Sequence, residues 1–179
     1  MLRTDVAASL RDRFQDDGYL LPDYDGYCFA NLPGSVASLL DADAGRTLPP
    51  DTFDGVDTDG IETVLVVLVD GFGWTQWRRE REHHAFLDRL TDAARVTPLT
   101  SVYPSETAAA ITTFHTGALP AAHGVVGWNV HDPEFGETFE ALPFLTKDGE
   151  APTGLDESEG FDADAIYPAD VPYGPDECV

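Results

Sequence analysis

Two stretches of the chain carry residue types that could do chemistry. Asp70 closes an aliphatic run, Val64 to Val69, and is followed by Gly71-Phe72-Gly73. Further along, Thr100-Ser101-Val102-Tyr103-Pro104-Ser105-Glu106-Thr107 forms a hydroxyl-rich turn that leads into Ala108-Ala109-Ala110-Ile111. A carboxylate such as Asp70 suits a hard cation or zinc, and an alcohol becomes a useful nucleophile near neutral pH only beside a base or a metal. A helix starting at the turn would add free N–H groups and positive potential, which hold an anion such as phosphate. Plainer uses exist for the same residues: Asp70 as a turn cap, and Ser105 or Thr107 as a helix cap.

The elements that must position these residues follow from the apolar pattern. The run from Ile61 to Asp70 predicts a strand buried on both faces, as in a parallel sheet covered by helices. Ligands of such sheets gather beyond the carboxyl ends of the strands, which is where Asp70 stands. Trp74 to Leu90 predicts a helix with one polar face, Val96 to Tyr103 a second strand, and Thr107 to Thr116 a helix closed by Gly117 with Pro120 behind it. Strands alternating with helices give an α/β fold, a mostly parallel sheet with flanking helices. Upstream, Val6, Leu10 and Phe14 mark a helix over Thr4 to Phe14 that Gly18 and Pro22 end, and 41–60 reads as a solvated connector. After His131 the pattern fades, with Phe135, Phe139 and Leu142 to Leu145 as apolar anchors and an acidic stretch from Asp148 to Asp164 as a solvated loop. The chain therefore divides into an N-terminal helix and connector (1–60), an α/β core (61–146) and an acidic end (147–179).

Three segments in order, VLVVLVDGFGW from Val64, SVYPSETAAAITTFHTG from Ser101 and LPAAHGVVGWN from Leu119, resemble the alkaline phosphatase superfamily. The branch they resemble is the type I phosphodiesterase/nucleotide pyrophosphatase family. That resemblance implies an alkaline phosphatase-like fold and hydrolysis of a phosphodiester, nucleotide pyrophosphate or phosphomonoester through a phosphothreonine intermediate. Asp70 matches the family's first metal-binding aspartate. Thr107 matches its nucleophile, which also touches a metal. Two divalent ions, usually zinc, are the implied cofactors, stabilising the entering and leaving oxygens. His123 falls in the family's His-Gly motif, which implies a structural role. Asn129 lies one place beyond the family's asparagine that helps hold a phosphoryl oxygen, where this chain has Trp128; it is the candidate substrate contact. His83, His84 and His115 read as solvated or packed residues.

The family supplies its remaining ligands later, including an Asp-His pair. No Asp-His dipeptide occurs here, and the last histidine is His131. On the resemblance, the chain is expected to be an N-terminal part that stops near Tyr167-Pro168 and holds half the metal site. It is expected to be inactive by itself and to self-associate through an incomplete sheet. A catalytically inactive or non-enzymatic binding module of the same fold is the alternative. Dinucleotide binding through Gly71-Phe72-Gly73 is disfavoured, because the third glycine is missing and Trp74 and Trp77 crowd the turn.

Composition narrows the partners. The 179 residues carry a net charge of −23, which repels nucleic-acid duplexes and anionic membranes. Lys147 is the sole lysine among ten basic residues, a skew resembling the acidic proteins of salt-in halophiles. The longest apolar run falls well short of the ~20 residues that span a bilayer, and no signal-peptide pattern opens the chain. A cytoplasmic location and a small phosphate ester or nucleotide as substrate are the resulting expectations. Cys28 and Cys178 have no CxxC spacing and are expected to be free thiols.

Overall fold

A computed structural model describes residues 1–43, 45–133, 136–143 and 145–149. The chain forms two compact units, Met1–Thr100 and Ser101–Val179.

In the first unit, helix α1 (Thr4–Phe14) buries Val6, Ala7 and Leu10, the stripe its spacing predicts. Asp5 in its first turn and Arg11 and Arg13 in its last complement the helix dipole. Strands β1 (Gln15–Asp16) and β2 (Tyr19–Leu20) follow as an antiparallel hairpin. Its turn residues, Asp17 and Gly18, have φ of 43° and 85°, the paired positive values of a two-residue hairpin turn. Gly18 thus does more than stop the helix.

The segment after the hairpin is built around buried polar groups. Asp23 Oδ2 accepts from the Tyr27 N–H at 3.0 Å, and a Cβ on Gly26 would sit 2.4 Å from that oxygen. Thr100 Oγ1 accepts from the Asp23 N–H at 2.9 Å and donates to the Tyr27 carbonyl at 3.1 Å. Beside this knot Cys28 forms a single parallel bridge to Thr100, and Leu2 forms another to Val96. Helix α2 (Leu32–Leu39) carries buried Ser35, whose hydroxyl donates to the Asn31 carbonyl and accepts from the Leu48 N–H, both at 2.8 Å. The 41–60 stretch is therefore anchored rather than merely solvated. Leu48 is buried, Pro50–Phe53 makes a 3-10 turn, and Tyr27 Oη donates to Asp51 at 2.6 Å. The Tyr27 hydroxyl and then Arg3 hold the Asp51 carboxyl below its ordinary range.

Three expectations for this unit are corrected. The predicted strand Ile61 to Asp70 makes no ladder among the described residues, and Leu65, Val67, Leu68 and Val69 are exposed. Apolar, β-branched side chains favour extended backbone, yet a strand is completed only by a neighbour that accepts and donates its hydrogen bonds. The helix predicted over Trp74 to Leu90 is two helices, α3 (Trp74–Glu80) and α4 (Ala85–Ala93). The seven residues from Arg78 to His84 include no apolar side chain, so packing gains nothing by continuing the helix there, and it restarts where Phe86, Leu87 and Leu90 resume. Trp77 Nε1 donates to Thr91 Oγ1 at 3.1 Å and links the pair. The predicted strand Val96 to Tyr103 is reduced to the isolated bridges at Val96 and Thr100.

In the second unit, helix α5 (Thr107–Thr116) has the predicted bounds, and Gly117 closes it with φ 68°. Helix α6 (Pro120–His123) ends the same way at Gly124, φ 75°. Strands β3 (Asn129–Asp132), β4 (Glu137–Glu140) and β5 (Leu145–Thr146) form an antiparallel sheet in the order β3-β4-β5. The fading pattern after His131 hid this sheet, because its strands are short and mostly polar. Ala108, Val125 and Ala141 form the core cluster, with Val130 and Leu142 against it. Phe139 is buried, while Phe135, Phe144, Cys178 and the 150–164 part of the acidic stretch lie outside the described residues.

Among the described residues the architecture is thus mixed helix with short antiparallel sheets, and a large parallel sheet is not shown.

Candidate active site

Asp70 lies in the first unit, exposed, in the turn that Gly71 forms with φ 70°. The positive φ explains the glycine that follows the carboxylate. Phe72 then meets Trp77 edge-on, with ring centroids 6.2 Å apart, so the loop after Asp70 is held against α3.

Thr107 lies in the second unit as the first residue of α5, its side chain exposed. The helix start is not capped by Ser105 or Thr107. Glu106 is the cap: its Oε2 accepts from the Ala108 N–H at 2.9 Å and from the Ala109 N–H at 3.3 Å. A carboxylate there satisfies two otherwise orphan donors and complements the positive end of the dipole. The N–H groups expected to be free for an anion therefore already face one. Glu106 went unread because glutamate is not among the preferred caps; the signal was its place immediately before the helix.

The small buried face of α5, Ala108, Ala109, Thr112 and Thr113, permits close packing against α6. Thr113 Oγ1 lies 3.0 Å from His123 Nε2, and the Val125 N–H donates to His123 Nδ1 at 3.1 Å. Because Nδ1 accepts, the ring proton sits on Nε2, and the hydroxyl of Thr113 receives it. Burial holds the His123 pKa below its ordinary 6.5, so the ring is neutral. His123 thus joins α5, α6 and the following loop, in keeping with a structural part.

Asn129 is the exposed first residue of β3 and pairs with Glu140. His83, His84, His115 and His131 are exposed; His131 Nδ1 lies 3.1 Å from Thr138 Oγ1. Cys28 is buried and in no disulfide among the described residues, and burial pushes its thiol pKa up.

Against known protein families, one model matches, that of the type I phosphodiesterase / nucleotide pyrophosphatase family. The match covers residues 64–146. The matched region begins in the aliphatic run, includes Asp70, Thr107, His123 and Asn129, and ends with β5. That family is one of metal-dependent hydrolases of the phosphodiesterase/pyrophosphatase type, which act on small phosphate esters. No solved structure matches the chain.

A metal centre needs about three protein donors per ion. Among the described residues no group of three His, Cys, Asp or Glu side chains is placed to hold one. Asp70 and the Thr107 hydroxyl alone do not make up that donor set. Also among the described residues, no helix is long and apolar enough to cross a membrane.

Proposed function

We propose that residues 64–146 supply the nucleophile of a phosphoric-ester hydrolase, with Thr107 as the attacking residue. The observation that carries the reading is the exposed Thr107 hydroxyl at the start of α5, inside the family-matched region. In the reaction the Thr107 Oγ–P bond forms as the P–O bond to the leaving alcohol breaks. The electron pair departs with that oxygen, and the hydroxyl proton is lost to a base. Water then cleaves the phosphothreonine. The helix carrying Thr107 is fixed at its start by Glu106 and along its buried face by the Thr113–His123 contact, which sets the direction of attack.

The same reading assigns Asp70 to metal binding, Asn129 to a phosphoryl oxygen and two divalent ions, zinc by family habit, to the complete site. It also keeps 61–146 as the N-terminal part of an alkaline phosphatase-like α/β core in a cytoplasmic, salt-adapted protein. The test is hydrolysis of nitrophenyl phosphate esters with added divalent metal. The 179-residue chain is assayed alone and with any coding sequence that continues it, each beside Thr107→Ala. Turnover that Thr107→Ala abolishes supports the reading; absence of turnover in both preparations, or turnover that survives the substitution, overturns it.

A further inference from the structure

Within the first unit, α2 and the 41–60 stretch enclose a groove of about 660 Å³, the size of a small-molecule site. The stretch is pinned to α2 where the Leu48 N–H donates to Ser35 Oγ, and both of these buried residues line the groove. Half-buried Leu39 and Phe53 extend the apolar part of the lining, and Asp41 and Asp59 stand exposed at its edge. Among the described residues no arginine, lysine or histidine lines the groove, and neither aspartate belongs to an ion pair. Exposed carboxylates are ordinary in a chain with a net charge of −23. What sets these two apart is the concave apolar surface that shares their groove.

We propose that this groove binds a small organic cation, an amine whose charge is met by Asp41 and Asp59 and whose apolar body covers Leu39, Leu48 and Phe53. The groove lies outside residues 64–146, and the inference uses neither Thr107 nor the hydrolase reading. Charge complementarity selects the sign of the ligand, because an anion would meet two unpaired carboxylates and the field of the whole chain. The apolar lining selects the body, because a bare cation would leave that lining in water. The hydroxyl of Thr58, also in the lining, offers a further acceptor to an ammonium group.

The experiment titrates the ¹⁵N-labelled full chain with phenethylamine at pH 7, where the amine is protonated, and reads the Ser35, Leu48 and Thr58 amides. Three controls divide the recognition: 2-phenylethanol has the ring without the charge, ethylamine has the charge without the ring, and phenylacetate reverses the charge. Phenethylamine should move the three amides saturably, with a Kd of about 1–10 mM. It should bind about fivefold or more tightly than 2-phenylethanol, and phenylacetate should leave the amides in place. Asp41→Asn and Asp59→Asn, both at exposed positions, should each weaken phenethylamine about two- to fivefold without changing the affinity for 2-phenylethanol. Leu39→Ser should weaken both ring compounds. Molar potassium chloride, which shortens the screening length to about 3 Å, should bring phenethylamine close to the alcohol. Equal affinities for amine and alcohol in wild type, or an amine affinity that neither asparagine variant changes, overturn the proposal. So do amides that phenethylamine leaves unmoved. Ethylamine acting as strongly as phenethylamine also overturns it, since that would be general attraction of cations to an acidic surface.

Discussion

The run 61–69 and helix α5 belong to different units and began from equally strong sequence signals, yet only one formed as its residues predict. Helix α5 has the expected bounds, its closing glycine and its small buried face. Among the described residues the aliphatic run has no strand partner, and none of its side chains is fully buried. The difference is the reach of the hydrogen bonds. A helix closes its own bonds four residues away, so its sequence contains all that it needs. A parallel strand borrows both its backbone partners and its cover from distant parts of a chain.

The strongest way to sharpen this contrast is at Thr107, the proposed nucleophile at the start of the well-formed helix. Thr107→Ala should lower phosphoric-ester turnover by about a thousandfold or more, because the attacking atom is gone. The melting temperature should hardly move, since Glu106 caps the helix and alanine suits its first turn. Parallel kinetics and thermal unfolding check both halves. A large loss of stability would mean that the Thr107 side chain serves the fold.

Seen from these two regions, legibility in the sequence follows locality. Helix α1 and helix α5 were readable to the residue, and so was the glycine stop at Gly117. Asp70 and Thr107 could be singled out by type and place, and the family match includes both. Long-range polar pairings were not readable. Nothing in the sequence ties Thr100 to Asp23 and Tyr27, or Leu48 to Ser35, because those contacts depend on how loops return to one another. Glu106 was missed for a third reason: glutamate is not among the preferred caps, so its place immediately before the helix went unread. The sheet β3-β4-β5 was missed because short polar strands lack a clear alternating pattern.

A smaller effect should come from the residue that joins the parts of the second unit. His123→Ala removes a buried ring and leaves the Val125 N–H and the Thr113 hydroxyl without it, a loss of about 2–4 kcal/mol by urea unfolding. Its pH dependence has a definite sign. Folded His123 binds its proton less readily than the unfolded chain, whose value is near 6.5. Its contribution is complete above that pH and declines as pH falls through it, because the unfolded state takes up the proton first. The stability difference between wild type and His123→Gln should therefore shrink from pH 7.5 to pH 5.5. A difference independent of pH would show that burial does not perturb the ring.

The smallest expected effect tests the other half of the comparison, the aliphatic run. Leu65 is 85% exposed and Val67 is 74% exposed, so lysine at either position buries no charge in the structure as it stands. Leu65→Lys and Val67→Lys should each change unfolding stability by less than about 0.5 kcal/mol, as surface substitutions do. In a parallel sheet covered on both faces the same lysines would enter an apolar layer without a partner, at a cost of about 4 kcal/mol or more. The size of the change thus discriminates between a run left in solvent and a run completed by strands from elsewhere. A second reading comes from association. Exposed aliphatic side chains on an extended segment favour pairing between copies, and lysine opposes it by charge and hydration. The double variant should therefore lower the mean mass seen by light scattering at high protein concentration without altering the unfolding midpoint. A midpoint that falls sharply, with no change in mass, would place the run inside a sheet of the folded protein and return it to the parallel core that its residues predict.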